Sequence, residues 1–319
     1  MENDLSLLGI CIPTFNRSNI LDEALTDLIP KISSFNFNVI ISDNASVDDT
    51  EKIVKKHKMS YSKIIYCRQE ITCGGDRHFE KVLKIGTVYS KYLWLLGDSY
   101  RLIESEINNI IAILQKDKYH AIIVNSFDRI TQIESKEYDS GAELLKEIGG
   151  HMTLMSSFIF NKDLVVNVNF KRYYDSYFIH TGIVYEYMNQ FNASIFWYKA
   201  NCVFTTSISK IKTSWIPVSF EVFAKHWMAF VLSLPLEIPL KFKLYCIKEH
   251  NRQTKLFTAR YLISLRTNEW FSFKTYMEYK KYIPYVTDTS RILIILISIF
   301  PVKILKLGRL LKRRIIGQS

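Results

Sequence analysis

The sequence predicts an α/β fold with a mainly parallel sheet, flanking helices and a helical C-terminal extension. Short apolar runs alternate with helical patterns over the first third of the 319 residues, which is typical of strands joined by helical crossovers. The runs are continuously apolar, as expected for strands covered on both faces. Three of them end abruptly in polar residues, and the ligand crevice of a parallel sheet lies at such strand ends.

The predicted elements follow one another in a regular order. Apolar runs predict strands at 7–12, 39–42, 64–66, 93–96, 121–124 and 152–160. Helical patterns begin near Ser18, after Gly74-Gly75, at Ile107 and near His180. Residues 46–49 resemble a capping box for one further helix.

The pattern changes in the second half of the chain. From Trp215 onward it is helical and aromatic, and we expect its aromatic stripe to be packing rather than cofactor binding. The stripe consists of Phe220, Phe223, Trp227 and Phe230. The sequence therefore predicts two regions, 1–213 with the sheet and 214–319 with helices only.

The composition is that of a globular protein, with 48% hydrophobic and 23% charged residues. The formal net charge is +11, and much of the excess lies near the C-terminus. Seven basic residues and no acidic residue occur from position 291 onward: Arg291, Lys303, Lys306, Arg309, Lys312, Arg313 and Arg314. These cations flank apolar residues, a pattern that favours a membrane surface over nucleic acid as the partner.

The same segment contains an apolar run at 292–300, which Pro301 soon interrupts. The run is too short to span a bilayer, which needs about 20 residues. With the mixed segment 302–316 it predicts either a helix lying in the membrane interface or a homo-oligomer interface with a basic rim. Five cysteines without a CxxC pair predict reduced thiols, and the N-terminus does not resemble a secretory signal. We expect a cytoplasmic protein, peripheral on the inner face of the plasma membrane.

Three strand ends carry polar residues that indicate chemistry. They read ICIPTFNR at 10–17, ISDNAS at 41–46 and LLGDSY at 95–100. A carboxylate at the rim of the crevice, as predicted for Asp98, can meet a metal and a phosphate. The alternative is that these ends are ordinary turns, with Asp43-Asn44 forming an Asx turn and Asp98 ending a strand.

These strand ends resemble those of family 2 glycosyltransferases with the GT-A fold, and within that family the O-antigen type that includes the abequosyltransferases. The resemblance is strong over about residues 7–125 and weaker to about residue 235. It implies a GT-A (Rossmann-like) domain that binds a nucleotide-sugar donor. The implied donor-binding residues at the first two strand ends are Pro13, Thr14, Phe15, Asn16, Asp43 and Asn44.

The segment TCGGDRHF at 72–79 resembles the family's Asn-x-Gly…Arg-Asn segment. By that resemblance Gly75 allows a close backbone approach and Arg77 lies near the nucleotide, while His78 stands where the family usually has Asn. The adjacent Gly74 and Gly75 also predict a phosphate nest. The spacing matches neither a dinucleotide fingerprint nor a Walker loop.

The third strand end departs from the family pattern, because relatives commonly carry two or three acids where this chain has GDSY. The resemblance implies that Asp98 holds Mg²⁺ or Mn²⁺ against the donor diphosphate. Ser99 is a candidate for a weak or water-mediated ligand. Arg101 is a candidate for partly replacing the metal.

Inverting transfer needs a general base that takes the proton of the acceptor hydroxyl. Relatives place an acid or a histidine at the start of a helix near the sugar, which implies Asp175 or His180 in the segment 173–182. The local pattern favours His180. The structural alternatives are a buried core histidine and a helix cap at Asp175.

The resemblance as a whole implies an inverting glycosyltransferase that acts in bacterial surface polysaccharide synthesis, of the O-antigen or capsule type. Its acceptor would be a lipid-linked saccharide at the inner membrane surface. The eroded acidic motif leaves a second function open, a non-catalytic scaffold that binds nucleotide.

Overall fold

The structure is a computed structural model that describes residues 5–205 and 215–316, with side chains described as far as residue 310. The chain divides into two compact units. The sheet unit comprises Met1–Lys212 and Leu234–Ile238, and the helical unit comprises Thr213–Ser233 and Pro239–Ser319. The predicted boundary between residues 213 and 214 lies outside the described residues.

The sheet unit alternates strands and helices, as the sequence predicts. Its strands are β1 (Ser6–Thr14), β2 (Asn38–Asp43), β3 (Ile64–Arg68), β4 (Ser90–Leu95), β5 (Arg101–Leu102), β6 (Ala121–Ser126), β7 (Lys136–Tyr138), β8 (Phe158–Asn161) and β9 (Ile195–Phe204). Its helices are α1 (Ser18–Ile32), α2 (Thr50–Ser60), α3 (Gly75–Gly86), α4 (Ile107–Leu114), α5 (Gly141–Ile148), α6 (Lys162–Asn167) and α7 (Ile179–Gln190).

The strands form one sheet in the order β3-β2-β1-β4-β8-β6-β9-β5, with β7 paired to β9. Strands β3, β2, β1 and β4 are parallel, whereas β8 runs antiparallel to both of its neighbours, β4 and β6. The sheet is therefore mixed, and the predicted α/β fold is confirmed. Because β8 is antiparallel to both β4 and β6, these two strands run in the same direction. The carboxyl ends of β1, β2, β4 and β6 therefore lie at one edge of the sheet.

Burial on both faces holds these strand ends in place. Every residue of β2 and β6 is buried, as are most residues of β1 and β4. Helix α1 covers one face with Leu21, Leu25 and Leu28. Each such side chain contributes about 1.5–3 kcal/mol relative to exposure, so the polar residues that follow the strands are attached to a rigid support.

Two sequence predictions about local structure are wrong. The strand predicted at 152–160 is confined to β8, because 3₁₀ turns occupy His151–Thr153 and Met155–Ser157. Here Ser156 bonds to the end of β4 instead of joining a ladder: its carbonyl accepts from Trp94 Nε1 at 2.9 Å and its hydroxyl accepts from Gly97 N at 3.0 Å.

The capping box predicted at 46–49 is the second error. Helix α2 begins at Thr50, and it is the Oδ1 atom of Asp48 that accepts from Thr50 N, at 3.1 Å. The Ser46 hydroxyl accepts instead from Asn16 N at 2.8 Å. This serine therefore joins the loop after β2 to the loop after β1.

The helical unit is built around aromatic packing. It contains a π-helical turn at Glu221–His226 that continues into α8 (Trp227–Ser233), then α9 (Leu240–Thr254), α10 (Ala259–Thr267), α11 (Phe273–Tyr279), α12 (Ile283–Val286), α13 (Arg291–Ile299) and α14 (Val302–Ile316). The ring of Phe220 lies 5.1 Å from Phe271 and 4.8 Å from Phe257. The packing role predicted for the aromatic stripe is confirmed at this residue.

The apolar C-terminal segment forms two helices, α13 and α14, separated at Pro301. In α13, Ile294 and Ile297 are buried, whereas Ile292 and Leu296 are exposed. No helix in the described part of the chain has the length and hydropathy that a bilayer crossing requires.

Candidate active site

Thr14 lies between two carboxylates at the carboxyl edge of the sheet. It ends β1 and is the register partner of Asp43, which ends β2. Its hydroxyl donates to Asp98 Oδ2 at 3.1 Å, just beyond the end of β4. All three residues are buried, with exposed fractions of 1–3%. The structure therefore brings together three of the predicted site residues.

The carboxylate of Asp98 is held from several sides. Arg17 Nη1 lies 2.9 Å from Oδ1, while Thr14 occupies Oδ2. Arg101 Nη1 donates to the main-chain carbonyl of Asp98 at 3.1 Å. Burial raises the pKa of Asp98 above its ordinary value, and the positive charge of Arg17 opposes that rise. The result is a fixed carboxylate next to a cation in a largely water-free position.

Asp43 is fixed by its own turn and by the neighbouring strand. Its Oδ1 accepts from Ser46 N, three residues on, at 2.8 Å, so the side chain closes the loop that follows β2. Its Oδ2 accepts from the Tyr66 hydroxyl at 2.7 Å, and Arg68 Nε lies 3.8 Å away. Burial raises the pKa of Tyr66, which therefore stays protonated as the donor.

The loop after β1 presents one aromatic ring to solvent. Pro13 is buried, whereas the side chain of Phe15 is 43% exposed. Asn16 has a left-handed φ of 50°, and its Oδ1 accepts from Val47 N at 2.8 Å. The Asn16 amide thus supports the loop, and Phe15 is the group in this motif that is available for stacking on a ligand.

The glycine segment lies at the start of α3, where Gly74 is the N-cap. Since no glycine in the described ranges has positive φ, the predicted phosphate nest is wrong. A Cβ at Gly74 or Gly75 would meet nothing within 4 Å, so the backbone there borders open space. Asn44 anchors the segment to β2: its Nδ2 donates to Cys73 O at 2.8 Å and its Oδ1 accepts from Cys73 N at 2.9 Å.

Arg77 and His78 are adjacent in α3, but the first is exposed and the second is buried. Arg77 is exposed, and its guanidinium carbon lies 4.4 Å from the ring centre of Tyr174. His78 is buried, and its Nε2 lies 3.0 Å from both the carbonyl and the hydroxyl oxygen of Ser42. Burial lowers the pKa of His78 to about 4. His78 therefore joins α3 to β2 as a neutral side chain.

The two candidate bases lie in opposite environments. His180, in the first turn of α7, is 2% exposed, and its ring lies 5.2 Å from Phe158 and 6.3 Å from Phe79. Burial lowers the pKa of His180 to about 4, and nearby main-chain groups of Met152 and Thr153 oppose that shift without forming a well-aligned hydrogen bond to either ring nitrogen. Asp175 lies in the loop before α7, is exposed, and has a left-handed φ of 62°.

Asp76 organises the loop that carries Asp175, and the sequence interpretation did not consider it. Its Oδ2 accepts from Tyr177 N at 3.0 Å, and Tyr177 has a φ of 70°. Burial raises the pKa of Asp76 to about 6. Its place in the first turn of α3, two residues before His78, was the one sequence feature that could have indicated a role for Asp76. Its hydrogen-bond partner Tyr177 lies 101 residues away along the chain, so this contact could not be predicted from the local sequence.

Two arginines were also missed as site residues. Arg17 is the last residue of the strand-end segment 10–17. Its contact with Asp98 could have been predicted if the pairing of β1 with β4 had been known. Arg129 follows β6 at the same edge of the sheet. A cavity of about 350 Å³ opens near it, lined by Asn125, Tyr198 and Asn201 among others, and Thr14, Asp43 and Asp98 lie outside this cavity.

Comparison with known proteins agrees with this architecture. Residues 9–197, more than half of the chain, match the family described as Glycosyl transferase family 2. This chain belongs to glycosyl transferase family 2. The matched range contains every site residue predicted from the sequence, and the resemblance stated on the strand-end motifs is confirmed.

Two curated proteins resemble parts of the chain. An abequosyltransferase (RfbV) of Salmonella typhimurium is 35% identical over 112 residues, which are 34% of this chain and 32% of that protein. A chondroitin synthase of Pasteurella multocida is 40% identical over 63 residues, which are 20% of this chain and 6% of that protein. The aligned regions thus span about a third or less of these relatives.

Solved structures show the same fold at low sequence identity. S. aureus TarS 1-349 in complex with UDP-GlcNAc has a TM-score of 0.56 at 13% identity, covering 87% of this chain and 82% of that TarS fragment. The mannosyltransferase PcManGT of Pyrobaculum calidifontis, in complex with GDP-Man and Mn²⁺, has a TM-score of 0.53 at 11% identity, covering 93% and 87%. At such identities the likeness concerns the fold alone.

Proposed function

We propose that this chain is an inverting glycosyltransferase that takes its sugar from a nucleotide-sugar donor bound at the ends of β1, β2 and β4. The observation that carries the proposal is the convergence of Thr14, Asp43 and Asp98 at one edge of the sheet. Family membership supplies the reaction class.

The donor nucleoside lies between the first two strand ends in this proposal. The exposed ring of Phe15 stacks on the base, and Asp43 accepts from the base or ribose through lone pairs that its internal bonds leave free. Asn44 borders the same nucleoside, with one Nδ2 hydrogen left to donate after its bond to Cys73 O. Gly75 borders open space that a ligand can approach closely, and Arg77 supplies an exposed cation at the same helix start.

A divalent cation, Mg²⁺ or Mn²⁺, would be held at this site by Asp98 and, when the donor is bound, mainly by the donor phosphates. No group of three His, Cys, Asp or Glu side chains that could hold a metal exists within the described ranges. Mg²⁺ is commonly held by one or two carboxylates plus substrate phosphates, and Asp98 supplies one carboxylate. When bound, the cation would offset charge on the departing nucleoside diphosphate.

Asp175 is our candidate for the general base. Its carboxylate is exposed, so it can accept the proton of an acceptor hydroxyl as that oxygen attacks the sugar. His180 is the other candidate from the sequence, and it would have to leave its contacts with Phe79 and Phe158 to reach an acceptor. Asp76 keeps the Asp175 loop in place through Tyr177.

The acceptor in this proposal is a lipid-linked saccharide used in surface polysaccharide synthesis, at the cytoplasmic face of the membrane. The similarity to an abequosyltransferase supports the polysaccharide role. Helices α13 and α14 support the membrane location, since Ile292, Leu296, Ile304, Leu307 and Leu310 are exposed near Lys303, Lys306 and Arg309. The alternative partner for this surface is a second copy of the chain.

The test is a donor screen followed by a transfer assay. Saturation-transfer NMR with UDP-, GDP- and CDP-sugars identifies the donor, and turnover is then measured for the unchanged protein and for Asp98→Asn. We expect one donor class to bind and Asp98→Asn to lose transfer while it stays folded. Binding without donor hydrolysis or transfer, over a broad acceptor panel, would instead favour the scaffold function that the Asp98-Ser99-Tyr100 sequence leaves open.

A further inference from the structure

Arg129 is a partly buried cation that forms no ion pair with the described residues. It lies in the turn that follows β6, and its Nη1 is shielded from solvent without a hydrogen-bond partner among the described residues. None of the ion pairs in the described part of the chain involves it. Its guanidinium carbon lies 5.8 Å from the ring centre of Phe127.

Such a side chain is costly for the fold unless it has a use. A shielded N–H group without a hydrogen-bond partner is unfavourable for the fold, and arginine cannot avoid this cost by losing its proton. Burial lowers the pKa of Arg129 from its ordinary value, with the nearby Tyr100 opposing the shift, yet the group stays charged at neutral pH. Arg129 is therefore suited to bind an anion.

The position of Arg129 connects it to the site around Asp98. Since β6 and β4 run parallel, the turn after β6 lies at the same edge of the sheet as Asp98. Tyr100 links the two: its ring lies 5.9 Å from Phe127, and its hydroxyl experiences the charges of Arg129, Arg17 and Asp98. The Tyr100 ring also packs on Gly97, where an added Cβ would lie 2.9 Å from a ring carbon.

The charges around Tyr100 favour a ligand with negative charge. Arg17 and Arg129 exceed the single carboxylate of Asp98 by one positive charge. Arg101 is less available, since it donates to two main-chain carbonyls and lies 4.0 Å from Glu23. A guanidinium donates two parallel hydrogen bonds to a phosphate, a geometry that an ammonium group cannot reproduce.

We infer that Arg129 binds a phosphate group of the donor diphosphate, near Tyr100 and at the same edge of the sheet as Asp98. This inference rests on the proposed function and adds a binding residue outside the strand-end motifs. A carboxylate on the donor sugar is a second anion that the Arg129 guanidinium could bind in the same way. The experiment below distinguishes the phosphate from the carboxylate. Arg129 holds the ligand in this assignment and takes no part in proton transfer.

The experiment is calorimetric binding of nucleotides to the full chain. UDP, GDP and CDP are titrated together with their monophosphates into the unchanged protein, Arg129→Gln, Arg129→Lys and a control, Lys118→Gln, whose lysine pairs with Glu137 on the surface. We expect Arg129→Gln to weaken diphosphate binding about tenfold or more and to leave monophosphate binding nearly unchanged. Arg129→Lys should recover part of the loss, and Lys118→Gln should change neither.

A second titration identifies the source of the anion. A glucuronate-bearing and a glucose-bearing donor with the same nucleotide should be weakened equally by Arg129→Gln. Selective weakening of the glucuronate donor would overturn the phosphate assignment. Without nucleotide, Arg129→Gln should melt at or above the temperature of the unchanged protein, because it removes a shielded N–H group that has no partner among the described residues. A lower melting temperature with an unchanged preference for diphosphate would show a purely structural role.

The outcomes separate this inference from the function on which it rests. If the unchanged protein binds no nucleoside diphosphate, the proposed function fails and the inference fails with it. If the unchanged protein binds diphosphates and Arg129→Gln binds them equally well, only the inference fails. If Arg129→Gln does not fold, the diphosphate affinity of Arg129→Lys is compared with that of the unchanged protein instead, and equal affinities would contradict the inference.

Discussion

The guanidinium of Arg17 lies 2.9 Å from Oδ1 of Asp98, at the carboxyl edge of the sheet. Asp98 is also the carboxylate assigned to the metal in our proposal, so a protein cation and a metal ion compete for one oxygen atom. Thr14 occupies the other oxygen. Metal binding at Asp98 should therefore depend on donor phosphates that draw Arg17 away from the carboxylate.

We expect Arg17→Gln to raise the affinity of the nucleotide-free protein for Mn²⁺ by about tenfold, because it removes a competing charge at contact distance. The measurement is titration of free Mn²⁺ by electron paramagnetic resonance. Asp98→Asn is the matched control and should bind no Mn²⁺ at this site. Equal Mn²⁺ affinity in the unchanged protein and in Arg17→Gln would contradict competition between the two cations.

Thr14→Val tests whether the hydroxyl of Thr14 positions Asp98. The substitution keeps the volume but leaves a buried carboxylate oxygen without its donor, which costs about 1–3 kcal/mol. Urea unfolding should show this loss in the free energy of unfolding, and donor turnover should fall with it. Thr14→Ser keeps the hydroxyl and should lose much less of either quantity. If Thr14→Val and Thr14→Ser behave alike, the hydrogen bond has no such role.

The buried Asp76 predicts a pH dependence of stability. Burial raises its pKa to about 6, above about 3.9 for an unfolded aspartate. As pH rises from about 4 to about 6 the unfolded chain releases this proton first, so the folded state loses up to about 3 kcal/mol from this group, and nothing further above that window.

Asp76→Asn provides the comparison, because an amide oxygen can still accept from Tyr177 N. The variant should match the unchanged protein near pH 4 and be more stable near pH 7, as measured by urea unfolding at a series of pH values. Other titrating groups contribute equally to both proteins and cancel in the difference. A constant difference over the whole pH range would refute the raised pKa.

The strand ends were predictable because each depends on a local pattern, an apolar run that stops at Thr14, Asp43 or Gly97. The contacts between them were not, since the Arg17–Asp98 pair joins residues 81 positions apart and exists only once β1 pairs with β4. The antiparallel direction of β8 was not predicted either, since it depends on how distant segments pair and no periodicity reveals it.

The preference for His180 as the base shows the same limitation at a single residue. A histidine near a helix start has the same local sequence whether it faces solvent or the core. Here Phe79 and Phe158, from distant segments, enclose the ring. The sequence gives no indication of that enclosure.

Substitution of the two candidate bases decides between them. Asp175→Asn should lower turnover by about 10²–10⁴-fold with little change in donor binding, because it removes the proton acceptor and keeps the shape. His180→Phe should keep most of the turnover, since the ring lies in an aromatic cluster without hydrogen bonds to described residues. The reverse result, with turnover lost in His180→Phe and kept in Asp175→Asn, would assign the base to the histidine.

The exposed apolar residues of α14 offer a test of membrane association in the intact chain. Ile304 and Leu307 are 56% and 57% exposed and lie near Lys303 and Lys306. Replacing both with Glu removes two insertions worth about 1.5–3 kcal/mol each and adds repulsion from anionic lipid. Cosedimentation with vesicles rich in phosphatidylglycerol should fall by at least about 100-fold in partition coefficient.

Leu236→Glu is the matched control for this experiment, because Leu236 is 93% exposed in the sheet unit and has no role in the proposed surface. Its vesicle binding should equal that of the unchanged protein, and both should weaken as salt rises, since the cations near α14 act through screened charge. Analytical ultracentrifugation of the same variants tests the other partner. If the α14 variant binds vesicles normally but dissociates from a dimer to a monomer, the surface joins two copies of the chain and does not bind lipid.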